Sequence, residues 1–84
     1  MTNKVLVELS VPLIEEEFEV WFPINKKIKE VISLLCRSIN DLTGGYYTPI
    51  KDPCLYDKTT GEKIDINLNV KDAEIKNGSE LILI

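Results

Sequence analysis

Apolar and polar residues alternate twice near the start of the chain. Over residues 4–12, Val5, Val7, Leu9 and Val11 fall on one side, and Lys4, Leu6, Glu8 and Ser10 on the other. A period of two is that of a half-buried strand. Pro12 has no ladder donor and belongs near the strand's end. Residues 13–16 read as a short turn. Over residues 17–22 the alternation resumes, with Phe18, Val20 and Phe22 opposed to Glu17, Glu19 and Trp21. Two alternating runs joined by a short link predict an antiparallel hairpin, and Pro23 ends its second strand.

The period then changes. Over residues 25–45, Ile28, Val31, Ile32, Leu35, Ile39 and Leu42 recur at steps of three and four and mark one stripe of a long helix. Asn25 is suited to cap its start. Gly44 and Gly45 are suited to end it, because glycine enters the left-handed conformation without a steric cost. A helix with one apolar stripe needs a sheet to cover it. Lys26, Lys27 and Lys29 crowd the first turn, where the macrodipole favours negative charge. They read either as a solvated end or as a small basic contact for a partner.

The rest of the chain is more broken. Residues 46–53, with Pro49 and Pro53, read as an extended loop and residues 54–57 as a third strand. Residues 58–61 form a turn, and residues 62–66 a short return strand. Residues 67–77 read as a turn-rich crossing with Leu68, Val70 and Ile75 pointing inward. Asn77-Gly78 signals a tight turn, and residues 80–84 a last strand. This order predicts one α+β domain spanning residues 1–84, with a mixed sheet of four to five strands packed on the long helix. The first and last strands would then lie side by side in the middle, in parallel.

Composition narrows the function. An 84-residue chain with 44% hydrophobic residues suits one small core. A net charge of -4 argues against a nucleic-acid partner and against adsorption to an anionic membrane. There is no run of the ~18 apolar residues that a membrane span requires, and the first twelve residues read as a strand rather than a signal segment. A soluble, cytoplasmic protein is expected. Cys36 and Cys54, without a disulfide framework around them, read as reduced thiols; a helix–strand disulfide or a reactive thiol is the alternative. The sequence has no histidine, so the commonest general base and zinc ligand are missing. The acidic run of Glu15, Glu16, Glu17 and Glu19 lacks the spacing of a calcium loop and reads as a solvated turn. No phosphate-binding glycine loop is present. We therefore expect no catalytic residue, metal or cofactor. The alternation instead directs Leu6, Trp21, Tyr56, Ile82 and Ile84 to the sheet face turned away from the helix. They form either a protein-binding patch or a scatter of surface hydrophobics.

Two stretches carry a resemblance. The first is Phe18-Glu19-Val20, then Phe22-Pro23, followed by Ile28-Lys29 and Val31-Ile32. The second is the closing run from Ile75-Lys76-Asn77-Gly78 to Leu81-Ile82-Leu83-Ile84. Together they resemble the YukD/EsaB family of small bacterial ubiquitin-like proteins, which accompany type VII (WXG100, or Ess) secretion systems of Gram-positive bacteria. Residues 44–53 depart from the family pattern. The resemblance implies a β-grasp (ubiquitin-like) fold and a non-enzymatic adaptor or regulator. Its partners would be proteins, such as cytoplasmic domains of the secretion machine's membrane components, and it would be a monomer or weak homodimer. Ubiquitin-type modifiers and the related sulfur carriers act through a flexible terminal Gly-Gly, whereas this sequence closes on an apolar strand. A carrier role would require the native chain to continue past Ile84. A β-grasp interaction module unrelated to secretion is the other alternative.

Overall fold

The computed structural model describes residues 3–45, 47 and 52–84. Strand β1 (Lys4–Val11) is joined to β2 (Glu16–Pro23) by a 3-10 turn at Pro12–Ile14. Glu15 closes that turn in the left-handed region, with φ 53°, and its N–H donates to Pro12 O at 3.0 Å. Helix α1 (Ile28–Leu42) follows, then β3 (Leu55–Asp57) and β4 (Glu80–Leu83). The sheet order is β2-β1-β4-β3, with β1 and β4 parallel in the centre and the two outer pairs antiparallel.

The alternating side chains interlock with the helix as the periods require. Val7, Leu9, Val11, Phe22, Leu55, Leu81 and Leu83 bury one sheet face against Ile28, Val31, Ile32, Leu35 and Ile39. Val5, Phe18 and Val20, on the same face, pack against this core while staying partly open. Leu42 does not follow the stripe: it is 73% exposed at the helix's last turn.

The helix ends are satisfied unequally. Asn25 is not the cap; Lys27 occupies that position without a side-chain bond to the helix. The crossing segment performs the task instead. Ile28 N–H donates to Leu68 O at 2.8 Å and Lys29 N–H to Ile66 O at 3.1 Å. Glu30 Oε1 accepts from Lys27 N–H at 3.4 Å. These acceptors also offset the three lysines, by placing carbonyl and carboxylate oxygens at the positive end of the dipole. At the other end Gly45 N–H reaches Asn40 O at 2.8 Å and Gly44 N–H reaches Asp41 O at 3.3 Å. Both glycines have positive φ, and the pair of bonds is a Schellman stop.

The same geometry accounts for two further departures. Residues 62–66 do not form a strand: only Lys63 bridges to Tyr56. Asp65 turns the chain, since its Oδ1 accepts from Asn67 N–H at 2.8 Å. The carbonyls of Ile66 and Leu68 are then aimed at the helix rather than along a ladder. Leu68, expected inside, is 37% exposed, whereas Val70 and Ile75 are buried. Tyr47, assigned to a loop by its neighbours, is buried to 2% exposure. Its N–H donates to Thr43 Oγ1 and its carbonyl accepts from Asn40 Nδ2, which folds it back over the helix end. The remainder of that expected loop, residues 46 and 48–51, lies outside the described residues.

Candidate functional site: the outer sheet face

Strand alternation and register together fix what the uncovered sheet face presents. Leu6 pairs with Trp21 across β1 and β2, and Glu8 pairs with Glu19. Across β1 and β4, Glu8 also pairs with Glu80, and Ser10 with Ile82. Tyr56 pairs with Ile82 across β3 and β4. Ile84 and Cys54 exchange backbone hydrogen bonds at 2.7 and 2.9 Å just beyond. Read in rows, the face carries Trp21–Leu6, then Glu19–Glu8–Glu80, then Glu17–Ser10–Ile82–Tyr56, with Ile84 at the end.

All five expected contact residues therefore lie on this face, but they do not form one patch. Leu6 and Trp21 make one apolar cluster, and Tyr56, Ile82 and Ile84 another. Leu6 and Ser10 are four residues apart along β1, which separates the clusters by about 13 Å. The glutamate row runs between them. Trp21 and Ile84 are the open members, at 55% and 64% exposure; Leu6, Tyr56 and Ile82 are half-buried. The glutamates were legible one at a time as polar positions of their strands. Their alignment depends on the parallel β1–β4 register, for which alternation holds no signal.

Long-range hydrogen bonds brace the Trp21–Leu6 end. Leu6 N–H donates to Asn77 Oδ1 at 2.7 Å, and Gly78 N–H donates to Leu6 O at 2.8 Å. Gly78 has a φ of 87°, so the Asn77-Gly78 turn directs the chain back alongside β1. Lys26, Lys27 and Lys29 are exposed at the start of α1, against the crossing segment and away from this face. Lys26 pairs with Glu30 at 3.9 Å. The lysines and the sheet face are thus two separate surfaces.

The thiol of Cys36 is half-buried, 3.8 Å from the hydroxyl of Tyr47. Burial pushes the Cys36 thiol above its ordinary range, only partly offset by that contact. Burial and the neighbouring thiol likewise push the Tyr47 phenol up. Both groups are held neutral and protonated, which suits packing rather than nucleophilic attack.

No protein-family model matches the chain, and no curated protein matches its sequence. Solved structures do. The ubiquitin-like domain of EccD5 from Mycobacterium xenopi superposes with a TM-score of 0.81 at 18% identity, over 99% of this chain and 94% of that one. This chain has a ubiquitin-like fold. The ubiquitin-like domain of the Mycobacterium tuberculosis type VII secretion protein EccD1 matches the domain with a TM-score of 0.77 at 13% identity, over 99% of both chains. A chain of the MycP5-free ESX-5 inner membrane complex matches at 0.79 and 13% identity. That match spans 99% of this chain and 21% of the larger one. At these identities the likeness establishes the fold. Among the described residues, no helix is long and apolar enough to cross a membrane.

Proposed function

We propose that this ubiquitin-like domain is a non-enzymatic adaptor or regulator of a type VII secretion machine, of the YukD/EsaB kind. It acts in the cytoplasm by docking its outer sheet face on a cytoplasmic domain of a membrane component. The observation that carries this reading is the face itself: two apolar clusters, each with an aromatic anchor, on either side of three aligned glutamates. Tryptophan and tyrosine are frequent anchors of binding energy. The aligned carboxylates favour a partner that presents cations between two apolar contacts. The fold shared with EccD domains and the resemblance in residues 18–32 and 75–84 support the secretion context.

The test is capture of the cytoplasmic domains of the secretion ATPase and of the pseudokinase-like membrane subunit by wild type, Trp21→Ala and Tyr56→Ala. Each substitution is expected to weaken capture by about tenfold or more, the loss typical of an interface anchor. Equal recovery by all three proteins would refute docking through this face.

A further inference from the structure

A second surface lies at the open edge of β2, where the sheet meets α1. An apolar groove of about 330 Å³ runs there, lined by Phe18, Val20 and Trp21 from the strand and by Leu34, Ser38 and Leu42 from the helix. Leu34 and Leu42 are 47% and 73% exposed, although they lie on the helix's groove side. Among the described residues, no strand of the sheet lies beyond β2.

The hydrogen-bond phase shows what this edge offers. Ile24 N–H donates to Asn3 O at 2.9 Å, one step beyond the Lys4–Pro23 pair. Bonded and non-bonded pairs alternate along an antiparallel ladder. The pairs of Phe22, Val20, Phe18 and Glu16 with β1 are therefore the bonded ones. The N–H and C=O groups of Glu17, Glu19 and Trp21 point away from β1, into the open edge. These are three donors and three acceptors at the spacing of a missing strand.

From this we infer that β2 receives an added strand from another protein, whose residues alternate between apolar and basic. An added strand must follow the pleat. Its side chains on the helix side enter the groove against Phe18, Val20, Leu34 and Leu42, which selects apolar residues. Its side chains on the other face stand beside Glu17, Glu19 and Trp21. Opposite charges in such cross-strand positions attract, and a cation also stacks favourably on tryptophan. That selects lysine or arginine. A second copy of this chain is the wrong occupant. Strand β2 carries Glu16, Glu17 and Glu19 and no cation, so self-pairing sets carboxylates against carboxylates. The acidic edge that disfavours self-association is the one that selects a basic strand.

The test uses a short peptide of alternating valine and lysine, with a valine–glutamate peptide as its counterpart, on the isotopically labelled chain. The valine–lysine peptide is expected to shift amide signals along β2 and at Leu34, Ser38 and Leu42. It is expected to slow hydrogen exchange at Glu17, Glu19 and Trp21. Leu34→Gln with Leu42→Gln is expected to weaken binding about tenfold, by removing apolar contact on exposed helix positions. Tyr56→Ala, on the far side of the sheet, leaves it unchanged. The inference is overturned if the valine–lysine peptide does not bind, or if the valine–glutamate peptide binds as tightly. It is equally overturned if the signals that move are those of Tyr56 and Ile82, or if the same three amides are already protected by concentration-dependent self-association.

Discussion

The glutamate row gives the sheet face a cost that a single substitution measures. Glu8 is flanked by Glu19 and Glu80. The Glu8–Glu19 pair is non-hydrogen-bonded by the ladder phase, the type in which side chains come closest. Carboxylates about 5.5 Å apart in water repel by about 0.75 kcal/mol per pair. With a screening length of about 30 Å at about 0.01 M salt, the two pairs cost about 1.2 kcal/mol; at about 1 M, where that length is about 3 Å, about 0.2 kcal/mol remains. Side chains swinging apart make these upper values. Glu8→Gln keeps the shape and removes the central charge. Thermal unfolding followed by circular dichroism is expected to show Tm raised by up to about 5–10 °C at low salt and by no more than about 1–2 °C at high salt, since 1 kcal/mol corresponds to about 4–8 °C in a domain of this size. Glu62→Gln, away from the row, leaves Tm unchanged at both. A Tm that does not rise at low salt, or a rise independent of salt, would refute the electrostatic account. The same substitution is expected to weaken capture by the proposed sheet-face partner. Opposite effects on stability and binding would show that the row is retained for recognition and not for folding.

Two further outcomes follow from particular groups. Glu15 is held at φ 53°, which an L-residue other than glycine or asparagine adopts at a cost. Glu15→Gly is expected to stabilise the hairpin by about 0.5–1 kcal/mol after glycine's own entropy is subtracted, read from a shifted denaturation midpoint with an unchanged slope. Cys36 and Tyr47 have folded pKa values above their ordinary values of 9.0 and 10.0. Between its unfolded and folded pKa each group binds more protons in the folded chain, so the stability it contributes is whole below about pH 9 and falls as pH rises. Denaturation midpoints measured from neutral to alkaline pH are expected to decline, and Tyr47→Phe to decline less steeply than wild type. Parallel curves would contradict that assignment.

Much of the fold was legible because it rests on local periods. The hairpin, the stripe from Ile28 to Ile39 and the Gly44-Gly45 stop each depend on residues close in sequence. Leu42 shows the limit: its spacing continues the stripe, but burial requires sheet beyond it, and there the groove beside β2 is open. Residues 62–66 alternate like a strand, yet Asp65 bends them and the helix N-terminus takes up the carbonyl of Ile66. Tyr47 had no periodic signal at all, since its burial is set by single hydrogen bonds to Thr43 and Asn40.

For the surfaces the division is similar. Alternation by itself determined which residues leave the core, and so placed Leu6, Trp21, Tyr56, Ile82 and Ile84 on the outer face. It also determined that Glu8, Glu19 and Glu80 would be there. Only the tertiary structure decided that these glutamates stand in one row and split the apolar residues into two clusters. Only it showed that three backbone donors and three acceptors of β2 look outward beside a groove. Side-chain direction along a strand is set by the next peptide unit, within the chain. Which strand lies alongside, in which register, and which edge is left without a neighbour are set by the closing of the whole core.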